Sequence, residues 1–221
     1  EAKALGARWD PVQKTWYIST EMNPDPFMCW LPQSQPISNL DYPEYSVRAP
    51  HYFIIKSQTG CWRCKEITSV FSFLLPPEYE YYESEDEDIG YWISPGGFSI
   101  TSMVDGLAVS VISHMQKMTK KYRIAYSKKA GVRYYMNHCE HCNATQGDFY
   151  LHNEPGGAFF PTDQWDAQRI SIYPVDSPFM GNCDLGFHSV DYFYESMRLI
   201  EFFECRLKFI FTAVFSWAVA G

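Results

Sequence analysis

The sequence holds none of the short motifs that mark the commonest enzymes. Its 221 residues contain no HExxH, no GxSxG and no GxxxxGK[ST], which removes the usual metalloprotease, serine-hydrolase and phosphate-loop signals. Basic residues are scarce beside acidic ones, 18 against 26. That balance is opposite to the clustered Lys and Arg that release counterions from a nucleic acid. Long apolar runs are missing too. The stretch Phe209 to Gly221 is almost wholly apolar but spans only thirteen residues, fewer than the roughly twenty a hydrocarbon core requires. It reads as a buried terminal strand or a helix continuation, and no membrane association is expected. No secretory signal opens the chain, so a cytoplasmic, reducing setting is expected.

Cysteine is present in a telling pattern. Of seven cysteines (29, 61, 64, 139, 142, 183 and 205), four fall in two CxxC pairs, Cys61-Trp-Arg-Cys64 and Cys139-Glu-His-Cys142. One CxxC turn supplies two sulfurs to an ion, and a second completes a tetrahedron at about 2.3 Å per Zn–S bond. The 74 residues between the pairs far exceed the roughly fifteen to twenty of a compact ribbon, so the fold must bring the knuckles together. A redox pair would open a helix in a βαβ unit, and neither pair does. Two disulfides remain an alternative, although the cysteine count is odd. Cys61, Cys64, Cys139 and Cys142 are therefore the expected ligands of a structural zinc ion, with His138 and His141 as bystanders. A closed four-sulfur set leaves no position for substrate or water. His138-Cys139-Glu140 matches the HxE of zinc deaminases but lacks the downstream PCxxC. The chain is expected not to be an enzyme, and no small-molecule substrate is inferred.

Strand-like runs surround both pairs. His51 to Lys56 and Ile67 to Leu75 flank the first; Val132 to Met136 and Asp148 to His152 flank the second. Residues 51–152 thus resemble a zinc ribbon with a long insertion. Inside the insertion, Val104, Leu107, Ala108, Val111, Ile112, Met115 and Met118 recur at helical spacing, predicting a helix over Ser102 to Lys120 with Ser102 as N-cap. Tyr122 to Tyr126 and Val132 to Met136 predict a hairpin with Gly131 at positive φ. A second long helix is predicted from Gly186 to Lys208 through Val190, Phe193, Met197, Ile200 and Phe203.

The net charge of −8 is concentrated in one place. Residues 78–88 (EYEYYESEDED) carry seven carboxylates and no base, leaving 19 acidic against 18 basic residues elsewhere. Such a run reads first as a solvated, extended loop. Its tyrosines suggest more: Glu78, Tyr79, Glu80, Tyr81, Tyr82, Glu83, Glu85, Asp86, Glu87 and Asp88 would offer a basic protein both charge and apolar contact.

At the start of the chain, Glu1-Ala-Lys-Ala-Leu-Gly-Ala-Arg-Trp-Asp10, Lys14-Thr-Trp-Tyr17, Pro26-Phe27 and Trp30-Leu-Pro32 carry a resemblance to a short bacterial domain of unknown function. The resemblance covers residues 1–32 and implies an appended module of the kind attached to plasmid primases, topoisomerases and relaxases. Locally, Ala2 to Ala7 suits a short helix ended near Gly6, and Thr15 to Ile18 a strand. Trp9, Trp16 and Trp30 are expected to form its core.

The expected class is α+β: a small helix-plus-strand domain over 1–32, expected to lack its first strand, a proline-bearing linker over 33–50, and a zinc-stabilised domain over 51–221 with antiparallel strands and two longer helices. The expected function is protein binding, as an inhibitor or immunity-type factor neutralising a toxin nuclease through the acidic, tyrosine-rich surface. The alternative is an accessory module of DNA processing, with Arg63, Lys65, Lys128, Lys129 and Arg133 touching phosphates; charge argues against it, and nucleic acid is not the expected partner.

Overall fold

In a computed structural model, residues 2–10, 15–17, 43–86, 89–186 and 191–200 are described. Near the start, a 3-10 turn at Ala2–Leu5 ends on Gly6 at φ +105°. Strands β1 (Arg8–Asp10) and β2 (Thr15–Tyr17) then pair antiparallel, with Trp9 opposite Trp16. Trp9 is exposed rather than in a core.

Most strands belong to one nine-stranded sheet. They are β3 (Val47–Ala49), β4 (Tyr52–Gly60), β5 (Ile67–Leu75), β6 (Glu80–Asp86), β7 (Ile89–Ile93), β8 (Ser99–Leu107), then β12 (Ser171–Val175), β13 (Phe179–Leu185) and β14 (Arg198–Leu199). Their order is β14-β12-β4-β5-β8-β13-β3-β6-β7, antiparallel throughout except for β12 and β14. Between them in the chain lie helix α1 (Val109–Met118), a three-stranded sheet of β9 (Tyr122–Ser127), β10 (Val132–His138) and β11 (Thr145–Gln146), and the short helix α2 (Gln164–Gln168). Helix α3 (Asp191–Tyr194) precedes β14.

The central strands are buried on both faces. Tyr52, Ile54, Phe71, Phe73 and Leu75 enter one core with Val104, Val111, Met115 and Phe179. Phe53, Ile55, Val70 and Leu74 enter a second with Leu151, Phe159, Ile170 and Ile172. Alternate residues of a strand point to opposite faces, so burying both faces demands the apolar runs seen at 52–55 and 70–75, the second broken only by Ser72, whose hydroxyl donates to Thr101 O.

β8 is where the sheet turns. It pairs with β5 only at Ser99 and Ile100, then runs along β13, passing Met103 at φ +49°. β13 answers with a bulge between Asn182 and Asp184 that sets Cys183 out of register.

Several expectations need correction. The helix predicted from Ser102 begins only at Val109, behind Ala108 with no side-chain cap. Val104 and Leu107 reach the same core as Val111 and Met115, so a strand followed by a helix satisfies the spacing that suggested one long helix. The helix predicted over Gly186–Lys208 is confined, among the described residues, to the single turn of α3, and Arg198 and Leu199 are strand. Asp148 to His152 is not a strand: Phe149–Asn153 is a wide helical turn. Within the supposed linker, Val47–Ala49 is β3, paired with β13 and β6. The acidic run is no loose loop either, since Glu80–Asp86 forms β6. The apolar Phe209–Gly221 lies outside the described residues. No helix among the described residues is long and apolar enough to cross a membrane.

Candidate metal centre

Each CxxC is the loop of a β-hairpin. Gly60 of β4 pairs with Ile67 of β5, so Cys61–Glu66 closes the first. His138 of β10 pairs with Thr145 of β11, so Cys139–Ala144 closes the second. The two six-residue loops share one hydrogen-bond pattern. The Cys61 N–H donates to Glu66 O at 2.9 Å and the Lys65 N–H to Cys61 O at 2.9 Å. In the second, the Cys139 N–H donates to Ala144 O at 2.8 Å and the Asn143 N–H to Cys139 O at 3.0 Å. Lys65 (φ +68°) and Asn143 (φ +60°), each just after the second cysteine, are both left-handed.

The four sulfurs meet. Cys61 Sγ lies 3.6 Å from Cys142 Sγ and Cys64 Sγ 3.7 Å from Cys139 Sγ, and all four lie within 4.8 Å of one another. An ion bound tetrahedrally at about 2.3 Å per sulfur implies sulfur–sulfur edges of roughly 3.8 Å. A disulfide would need about 2.05 Å. The cluster therefore fits a ribbon-like metal site and not a pair of disulfides.

Backbone dipoles favour thiolates here. Burial opposes charge on Cys61, but the N–H groups of Cys64 and Arg63 bring its pKa down to about 6. Cys139 is likewise lowered against burial by the N–H groups of Cys142 and His141. The Glu66 N–H favours the Cys64 thiolate, yet burial and the three surrounding sulfurs push that thiol up to about 12. Four sulfurs this close cannot all be charged without a cation among them, and a divalent ion removes the conflict. Buried Gln146 adds an outer contact, its Nε2 lying 3.5 Å from Cys61 Sγ, the kind of partner that tunes a bound ion.

Side chains of the second knuckle hold it against the edge of β5. On that edge, Glu140 Oε2 accepts from the Ser69 N–H at 3.0 Å and His141 Nε2 contacts Ile67 O at 3.0 Å. Asn137 Oδ1 accepts from the Phe71 N–H at 2.8 Å. In return, Trp62 Nε1 donates to Thr145 O at 2.7 Å. His141 is thus engaged with backbone, and so is His138, whose Nδ1 sits 3.0 Å from Met136 O. The docking residues Asn137 and Glu140 carry no sequence signal, because only the fold places them beside β5. Cys183 is half-buried elsewhere, and desolvation first, then Asp184 and Asp105, raise its pKa far above the usual thiol range.

The acidic run has its own geometry. Tyr79 is 2 % exposed and belongs to the core, so it is removed from the expected contact surface. Tyr81 packs against the same core. Tyr82 meets Trp92 edge to face, with ring centroids 5.5 Å apart. Arg48 lies 3.9 Å over Trp92 and donates to Glu80 at 2.6 Å. Glu83 is exposed; Glu87 and Asp88 lie outside the described residues.

A family model described as a domain of unknown function (DUF5710) matches residues 1–32. No curated protein and no solved structure matches the chain.

Proposed function

We propose that this chain is a protein-binding protein whose fold is clasped by a structural zinc ion. Cys61, Cys64, Cys139 and Cys142 would hold the ion. Zinc is the choice because soft thiolates in a tetrahedron select it over oxygen-seeking magnesium or calcium. Four protein ligands close the site, so its work is mechanical: it joins the β4–β5 loop to the β10–β11 loop across the long insertion.

The acidic hairpin of β6 and β7 would then cover a basic surface on another protein, as an inhibitor or immunity-type factor covers the cleft of a toxin nuclease. The observation that supports this is the ordering of the acidic run as an edge hairpin, anchored by Tyr81 in the core and by the Arg48–Trp92–Tyr82 stack. Carboxylates held on a strand lose less conformational freedom on binding than those of a loose loop. Complementary charge would mainly speed association and select the partner.

Co-expression with the products of neighbouring genes, followed by affinity capture, tests the reading. A stoichiometric partner with a basic surface is expected, and Glu83→Lys with Glu85→Lys should abolish its capture while leaving metal content unchanged. Absence of such a partner, or capture indifferent to charge reversal, overturns it.

A further inference from the structure

Positive charge is as unevenly placed as negative. Residues 106–139 hold seven of the 18 basic residues and no Asp or Glu. Most of these lie on the β9–β10 hairpin or its turn. Lys121 Nζ and Arg123 Nη2 converge on Asn143 Oδ1, at 3.3 and 3.0 Å. That acceptor is neutral, so among the described residues the two cations stand side by side without a paired carboxylate. The ion pairs Arg48–Glu80 and Arg169–Asp166 lie away from this hairpin.

Exposed rings accompany these charges. Tyr126 is 55 % exposed and sits opposite Arg133 across the strands. At the turn, Lys129 Nζ lies 4.6 Å from the Phe149 ring centroid and 5.2 Å from that of Tyr150. Tyr150 is 61 % exposed and meets Phe149 edge to face at 5.4 Å. Lys128, Lys129 and Arg133 are exposed as well.

We propose that the tip of the β9–β10 hairpin, with Phe149 and Tyr150 beside it, binds single-stranded nucleic acid. Lys128, Lys129 and Arg133 would neutralise phosphates, and the faces of Tyr126, Phe149 and Tyr150 would take unpaired bases. Exposed rings interleaved with cations are the two parts such binding uses, and only an unpaired strand offers free base faces. The overall negative charge does not forbid this, because exposed charges beyond about 8 Å are largely screened at physiological salt. An acidic peptide would satisfy the cations, but its carboxylates would not engage the ring faces, which an unpaired strand covers with the bases that each phosphate carries. The surface is separate from the acidic hairpin, so this proposal stands or falls independently of the protein-binding reading.

Full-length, metal-loaded protein titrated into a labelled oligothymidine and into a duplex, at several salt concentrations, provides the test. Salt-sensitive binding that prefers the single strand is expected. Combining Lys128→Ala, Lys129→Ala and Arg133→Ala should weaken it and flatten the log–log salt slope by about 2, given about 0.7 per phosphate contact on single strands. Tyr126→Ala with Tyr150→Ala should weaken binding at least about thirtyfold at an unchanged slope, since stacking releases no counterions. All five side chains are exposed, and unchanged metal content and melting temperature would show that both variants fold. The proposal is overturned by no binding at low salt, by equal affinity for duplex, or by variants that bind like the unmutated chain. It is also overturned if the hairpin instead mediates salt-sensitive self-association that Glu83→Lys abolishes.

Discussion

The side chain of Asn137 pairs with the peptide group of Phe71 as a neighbouring strand would: Oδ1 accepts from the Phe71 N–H at 2.8 Å and Nδ2 donates to Phe71 O at 2.9 Å. β8 pairs with β5 only at Leu74 and Leu75, which leaves the rest of that β5 edge without a strand. Asn137, Glu140 and His141 serve Phe71, Ser69 and Ile67 in its place.

Replacing Asn137 by Ala strands both polar atoms of a buried peptide. Each unsatisfied group costs about 1–3 kcal/mol, so Asn137→Ala should lose about 2–6 kcal/mol in urea unfolding. A loss under 1 kcal/mol would mean that water or a shifted strand replaces the pairing.

Metal removal is expected to be more damaging than any one docking contact. The purified chain should carry one zinc ion, and Cys64→Ser or Cys142→Ser should each abolish stoichiometric binding and lower the melting temperature. Binding needs deprotonated sulfurs, so zinc should be released as pH falls. Elemental analysis across a pH series reads both outcomes.

The left-handed residues after each CxxC make separate predictions. A left-handed non-glycine residue costs roughly 1–2 kcal/mol, and Asn tolerates the region better than most. Lys65→Gly should therefore stabilise the metal-loaded protein by about 0.5–1 kcal/mol after allowing for glycine's greater freedom when unfolded. Asn143→Gly should gain nothing, because it also loses the acceptor for Lys121 and Arg123. Paired denaturation curves distinguish the two.

Asp148 gives stability a defined pH dependence. It is 5 % exposed, with Oδ2 accepting from the Met103 N–H at 2.8 Å and Oδ1 without a partner among the described residues. Burial, opposed by that N–H and reinforced by Asp184, raises its pKa to about 7. Unfolded, it would titrate near the usual 3.9. Between those values the folded state binds the extra proton, so stability falls as pH rises from about 4 to 7 and levels off above. The contribution is on the order of 4 kcal/mol. Asp148→Asn should remove this slope, as melting temperatures of both proteins over that range would reveal.

Gly90 has no room for a side chain. A Cβ there would sit 2.0 Å from Tyr82 Oη, so Gly90→Ala must push the ring off Trp92. A loss of about 1–3 kcal/mol is expected from such overpacking, with a changed tryptophan fluorescence as the local readout.

Local pattern made much of this molecule legible. The run Ile67–Leu75 is β5 as expected, the β9–β10 hairpin turns on Gly131 at φ +75°, and the four expected ligands converge. Those features rest on short-range chemistry: β-branched and aromatic runs, a turn glycine, and two sulfurs per loop. The 102–120 helix failed for the converse reason, since apolar spacing reports which residues reach a core and not whether a strand or a helix carries them there. Charge was legible as composition and misleading as distribution. Lys128, Lys129 and Arg133 are visible in the sequence as candidate phosphate contacts, but only the fold sets Lys129 beside the rings of Phe149 and Tyr150.

By itself, then, the amino-acid order determined the candidate ligand set, strands β4 and β5 of the central sheet and the β9–β10 hairpin, because each follows from residues within one or two turns of chain. Tertiary structure decided that the two knuckles meet, that Asn137 completes an edge of β5, that Tyr79 is core while Tyr150 is surface, and that a run of carboxylates is a strand. Those outcomes depend on contacts between residues some 30 to 80 positions apart, and only a closed fold brings such residues together.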